Sequence, residues 1–252
     1  MAIDFETAMI SSAGKPRTHQ AVGESPRQRG RGRLVCASLV LLLAVTGFAA
    51  IAQNVTTGAS LSVLDVHVAQ WLHQRATPHL TSWMMAVTTL NSTLAVSIYG
   101  AAIAFYQGWH RRWRCVATII ACVGGGLLLN DLLKHAFHRG RPLLDHPLLT
   151  LETTSFPSGH VAGSTVFYGL LVVWIFGRTQ QWRWRLSAAA IAAAAIALVA
   201  FSRVYLGVHF LSDVVAAFAE GVGWLALCLG ALAAVWPHGD VGKPGSVAKA
   251  AP

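Results

Sequence analysis

Charge is scarce in this chain: of 252 residues only 12% are Asp, Glu, Lys or Arg, while 54% are hydrophobic and the mean hydropathy is +0.53. That balance excludes an ordinary soluble domain and implies an integral membrane protein. Cysteine is scarce too. The four present, Cys36, Cys115, Cys122 and Cys228, all fall in apolar stretches without zinc-ligand spacing or loop positions for a disulfide framework. They read as small hydrophobes. No internal repeat of solenoid length is visible, so a single helical bundle is the expected organisation.

Long apolar runs are plentiful. A bilayer core of about 30 Å needs about 20 apolar residues in a helix. Runs at 34–52, 83–106, 115–133, 161–176, 186–201 and 211–236 meet or approach that length, so the chain is expected to be all-α, an integral membrane bundle of six spans over 34–236. The fourth and fifth runs are short and should extend into their flanking turns. Residues 1–33 are polar and end in the basic "RQRGRGR", which predicts a disordered cytoplasmic tail, and 237–252 read as a cytoplasmic tail. The first apolar run reads as an uncleaved signal anchor rather than a cleaved signal peptide. Residues 61–74, with Trp71, alternate at helical spacing and predict an amphipathic helix on the outer surface.

With the N-terminus inside, 14 of the 19 Lys and Arg fall on the cytoplasmic side, as the positive-inside tendency requires. Lys134, Arg139, Arg141 and Arg203 gather instead on the outer, periplasmic or extracellular, face. Three segments reach that face by alternation of the spans. They are "KHAFHRGRP", "PSGH" and "SRVYLGVHFLSD", which carry Lys134 and Arg141; Pro157 to His160; and Ser202, Arg203, His209 and Asp213.

A phosphate ligand would use every one of these residue types. Arg forks bind phosphate oxygens bidentately and Lys adds a point charge. Ser158 and Gly159 at a helix N-terminus would cradle the anion with backbone N–H groups, and His160 would face its leaving group. His209 and Asp213 are four apart, which on a helix shares a face, so the carboxylate can hold one imidazole nitrogen and leave the other as a nucleophile. Taken singly, each has a plainer use: Lys134 or Arg203 snorkelling to the interface, Ser158 as a helix cap, His160 at a helix end, His209 with Asp213 as a structural pair. Their joint occurrence favours the site.

Other polar residues have simpler readings. Arg139 reads as interfacial, with head-group contact as the alternative. Glu220, deep in the sixth span, reads as a carboxyl hydrogen-bonded to a neighbouring helix, with a functional role as the alternative. Asn91, Ser92 and Thr93 suggest interhelical bonds in the second span. His135, His138 and His146 cluster without a pattern that closes a metal site.

The three blocks resemble the signature of the type 2 phosphatidic acid phosphatases, membrane relatives of the vanadium-dependent haloperoxidases. Lys134 with Arg141 and Pro142, Pro157 to His160, and Ser202, Arg203, His209 and Asp213 match every specified position of that signature. The resemblance implies a phosphatase in which His209 attacks phosphorus, Asp213 orients it, and His160 protonates the leaving oxygen and then activates water. It also implies that Lys134, Arg141, Ser158, Gly159 and Arg203 hold the phosphoryl group, with no metal and no cofactor. A soluble haloperoxidase would share the pocket, but the six apolar spans argue against one.

The expected partner is a lipid phosphate drawn from the bilayer, with no nucleic acid, and the expected location is a bacterial inner membrane with both termini cytoplasmic. Undecaprenyl diphosphate is the first substrate expected; phosphatidic acid, phosphatidylglycerophosphate and lipid A are alternatives. The competing class is a non-catalytic lipid-binding or lipid-transport protein.

Overall fold

Backbone polar groups have no water partners in a bilayer core, and a chain whose apolar runs are continuous and near 20 residues long satisfies them within helices. The computed structural model does so; it describes residues 26–58, 60–145, 147–149, 151 and 153–235, and these contain no strand. The helices are α1 (Pro26–Thr57), α2 (Ser60–His73), α3 (Pro78–Leu90), α4 (Thr93–Trp109), α5 (Trp113–Phe137), α6 (Gly159–Arg178), α7 (Trp182–Tyr205) and α8 (Leu211–Val235). Among the described residues, five helices are long and apolar enough to cross a membrane, or six if α3 and α4 are one bent span. The tail expected at 237–252 and His146 lie outside the described residues, as do residues 1–25, whereas 26–33 are already helical.

The expected second span is two helices bent by 41°. Ser92 breaks it: its backbone is extended and its Oγ accepts from the Ala95 N–H at 3.1 Å, capping α4. Asn91 folds its amide back onto the Val87 carbonyl at 2.9 Å and accepts from the Tyr168 hydroxyl of α6 at 2.7 Å. Asn91 therefore makes the interhelical bond expected of this cluster, and Ser92 acts as a cap. The fourth and fifth spans run to 20 and 24 residues by extending into their flanks, as expected.

α6 is the centre of the bundle, with Val166, Phe167 and Leu170 packed against Val96 of α4, Cys122 and Val123 of α5, and Cys228 of α8. A π-helical turn at Ile120–Gly124 interrupts α5. The Trp224 indole N–H donates to the Ala121 and Cys122 carbonyls of that turn at 3.1 and 3.0 Å. α1 seats on α8 through small residues: a Cβ on Gly223 would lie 3.1 Å from the Ala44 methyl, and one on Gly230 would lie 3.4 Å from that of Ala37.

Helix alternation brings the C-terminal ends of α5 and α7 and the N-terminal ends of α6 and α8 to one end of the bundle. The turns at the opposite end carry exposed Trp109, Trp113, Trp182 and Trp184.

Candidate active site

Each of the three blocks is delivered to that end by a helix terminus or a turn. Lys134 lies in the last turn of α5, which stops at His138 in the left-handed conformation, φ 47°. Arg141 follows in the loop. Ser158 occupies the N-cap of α6, and Gly159 and His160 begin the helix. Arg203 lies in the last turn of α7, and Gly207, at φ +71°, turns the chain so that His209 precedes α8. Lys134, Arg141, Gly159, His160, Arg203 and His209 line one cavity of about 590 Å³, with Thr93, Asn130 and Thr154 also on its wall.

The cations are held from behind. Arg141 donates through Nε to the Thr153 carbonyl at 2.7 Å, through Nη2 to Thr153 Oγ1 at 2.9 Å, and through Nη1 to the Val208 carbonyl. Burial makes its guanidinium release a proton somewhat more readily than usual, an effect Asp213 opposes. Lys134 Nζ donates to the Thr154 carbonyl at 3.4 Å. Arg203 is 1% exposed and donates from Nη1 to Thr88 Oγ1 at 2.5 Å, while its Nε and Nη2 have no hydrogen-bond partner among the described residues. Burying charged donors without partners is costly, so the unspent N–H groups of these two nitrogens on the cavity wall favour an anion.

His209 is also 1% exposed. Its Nδ1 lies 3.5 Å from both Asp213 Oδ2 and Ser155 Oγ, and its Nε2 lies 3.5 Å from Arg141 Nη1, a donor. A donor facing Nε2 and a carboxylate facing Nδ1 favour the tautomer with the proton on Nδ1 and the lone pair on Nε2. The shared helical face expected for His209 and Asp213 is not what joins them, because α8 starts at Leu211. Asp213 instead closes the helix entry: its Oδ2 accepts from the Phe210 N–H at 2.9 Å and from the Ser155 hydroxyl.

Burial pushes the His209 imidazole down from 6.5 to about 4, with Asp213 opposing. It is therefore neutral at physiological pH. The unfolded chain binds more protons than the folded one between those two values, so this contribution to stability is whole above 6.5 and lost as pH falls through 4. Acidification of the detergent-solubilised protein from about pH 7 to about pH 4.5 should lower the thermal midpoint more in wild type than in His209→Gln. Equal falls would refute it.

Ser158 and Asp213 stand behind the wall rather than on it. Both are 0% exposed, the Ser158 Oγ has no hydrogen-bond partner among the described residues, and the Ser158 N–H donates to the Asp213 carbonyl at 3.3 Å. Gly159 has a steric reason: a Cβ there would lie 2.9 Å from Asn130 Oδ1. That Asn130 amide donates to Glu220 Oε2 at 3.0 Å, the bond to a neighbouring helix expected of Glu220. His135 bonds within α5, its Nδ1 2.8 Å from the Asp131 carbonyl.

Two expectations need correction. Arg139 is not interfacial: its side chain is 14% exposed and ion-paired to Asp213 at 2.5 Å and to Asp65 at 2.8 Å. The helix expected to lie on the surface, α2, is docked into the bundle, with Asp65 buried and Val68 and Leu72 packed near Val161 and Val214, although Trp71 is exposed. The sequence does not single out Asp65, Ser155 or Thr88, although Ser155 bonds Asp213, Thr88 bonds Arg203 and Asp65 pairs with Arg139. The signal available for Asp65 was that it is the lone acid of an otherwise amphipathic helix.

The PAP2 superfamily profile matches residues 112–236, which take in all three blocks. Phosphatidylglycerophosphatase B of Bacillus subtilis (strain 168) is 32% identical over 150 residues, 58% of this chain and 71% of the relative. Among solved structures, a transmembrane PAP2 type phosphatidylglycerolphosphate phosphatase from Bacillus subtilis superposes with a TM-score of 0.68 at 26% identity, over 75% of this chain and 94% of the other. Aquifex aeolicus LpxE shares the fold, with a TM-score of 0.51 at 22% identity over 66% of this chain and 94% of its own. With the signature blocks inside the matched region and a relative of that identity spanned over most of its length, the chain belongs to the PAP2 superfamily of membrane lipid phosphatases.

Proposed function

We propose that this lipid phosphatase removes the terminal phosphate of phosphatidylglycerophosphate through a phosphohistidine on His209, without a metal, at the outer face of a bacterial inner membrane. The observation that carries the reading is the meeting of Lys134, Arg141, Arg203, His160 and His209 on one cavity wall. Two of the similar proteins are named for phosphatidylglycerophosphate and none for undecaprenyl diphosphate, so the first substrate expected gives way to one of its alternatives. The outer-face placement is supported by the excess of Lys and Arg on the opposite loops.

The lone pair on His209 Nε2 attacks phosphorus and the phosphorus–oxygen ester bond breaks. His160 gives its proton to the departing glycerol oxygen, and Asp213 steadies the imidazolium through Nδ1–H. A water then attacks the phosphohistidine, His160 takes its proton, the P–N bond breaks, and inorganic phosphate leaves. Lys134, Arg141 and Arg203 balance the charge on the equatorial oxygens, the work a divalent ion does in many phosphoryl transfers.

Phosphate release by the detergent-purified protein in excess EDTA tests this against phosphatidylglycerophosphate, phosphatidic acid, undecaprenyl diphosphate and lipid A. The expected result is the highest kcat/KM on phosphatidylglycerophosphate, unchanged by EDTA. A higher value on undecaprenyl diphosphate would restore the earlier substrate, loss in EDTA would sink the metal-free mechanism, and silence on all four would favour the non-catalytic class.

A further inference from the structure

The signature blocks leave one buried charge cluster unused. Arg139 spreads its guanidinium over three acceptors from two helices: Nη1 donates to Asp213 Oδ1 at 2.5 Å and to Ser212 Oγ at 2.7 Å, and Nη2 donates to Asp65 Oδ2 at 2.8 Å. Its other face stacks on Phe210, with the guanidinium carbon 4.3 Å from the ring centroid. Asp65 reaches across from α2 and also accepts from the Ser212 N–H at 2.8 Å and from the Ser212 hydroxyl. The Arg139 carbonyl accepts from the Ser155 N–H at 2.8 Å, and the Ser155 hydroxyl donates to Asp213 Oδ2. The donors of this ring end on Asp213, on Asp65, on Ser212 or on the Arg139 carbonyl, and Arg139 bridges the two carboxylates.

The placement of charge explains what the ring does. Asp213 faces His209 with Oδ2, which also accepts from the Phe210 N–H and the Ser155 hydroxyl, and presents Oδ1 on its other side. Arg139 holds Oδ1 through Nη1 while Nη2 is held by Asp65, so the planar guanidinium sets the direction of the bond as well as its distance. Asp65 in turn stops the fork from pivoting. Without Arg139, two buried carboxylates would lose the cation that bridges them, and Asp213 would be held only from its Oδ2 side and freer to turn away from the His209 N–H.

We propose that Arg139 and Asp65 are positioning residues that align Asp213, and through it the His209 nucleophile, so that a helix outside the signature blocks, α2, is part of the catalytic apparatus. The proposal rests on the reading of His209 as the nucleophile. It gives Arg139 a role distinct from that of Arg141 and Arg203, since Arg139 is spent on carboxylates and does not line the cavity.

Rapid-quench trapping of phosphohistidine from labelled substrate tests it on the purified full chain. Arg139→Ala should phosphorylate His209 about 10²-fold more slowly and Asp65→Asn about tenfold more slowly, each with KM nearly unchanged. Guanidinium added below denaturing concentration should recover much of the Arg139→Ala rate, and urea should not. Absence of phosphohistidine in the wild type would overturn the nucleophile itself. Phosphohistidine in the wild type together with an undiminished rate in Arg139→Ala would overturn the positioning role alone, as would a loss that guanidinium leaves unrepaired. Should Arg139→Ala fail to fold, Asp65→Asn decides, and a wild-type rate there refutes the proposal.

Discussion

His209→Ala is expected to abolish turnover, lowering kcat/KM by on the order of 10⁴-fold or more, the scale seen when a covalent nucleophile is removed. The loss should lie in kcat, because in the proposed mechanism His209 contributes a lone pair to the reacting phosphorus rather than a share of substrate binding. Its position argues the same way. Nε2 faces Arg141 across 3.5 Å, at the point where an attacked phosphoryl group would bring its oxygens to the cation. Steady-state rates with labelled substrate and acid-quenched protein check it together: the variant should bind lipid, release no phosphate and carry no label. Phosphate release at the wild-type rate would refute the role of His209.

Arg203→Met should separate function from stability. The guanidinium is 1% exposed and spends one bond on Thr88, leaving Nε and Nη2 without a partner among the described residues. That is a buried charge poorly repaid, and replacing such a group by an apolar one of similar length is often neutral or stabilising. In the proposed mechanism the same two nitrogens meet the oxygens on which transition-state charge develops, and losing one such donor costs about 10²–10³-fold in kcat. Arg203→Met is therefore expected to lower kcat/KM by about 10³-fold while its thermal midpoint stays level or rises. Rates and melting curves on the same preparations check it, and a variant that keeps its activity but melts earlier would show Arg203 to be structural.

Arg139 shows where reading residues in order runs out. It lies five positions after Lys134 and two before Arg141, and position alone made it an interfacial cation. Its partners are Asp65, 74 residues away, and Asp213, 74 residues away in the other direction. No local spacing records such a meeting. Ser155 and Thr88 escaped for the same reason, since their hydrogen-bond partners are 58 and 115 residues distant. The break at Asn91 and Ser92 was legible in part: Ser is a strong helix cap, but within an apolar run it reads equally well as an interhelical donor.

The sequence by itself determined the helical membrane architecture, because a bilayer admits only helices or closed barrels, and continuous apolar runs near 20 residues suit helices rather than alternating barrel strands. It also determined which residues meet at one end of the bundle, since alternating spans send the ends of α5 and α7 and the starts of α6 and α8 to the same side. Only the tertiary structure decided what holds those residues in place. The two unpaired nitrogens of Arg203, the ring of Asp65, Arg139, Ser155 and Ser212 around Asp213, and the docking of α2 depend on how helices pack sideways. Sideways packing is set by side-chain shape and long-range charge pairing, which leave no period in the sequence.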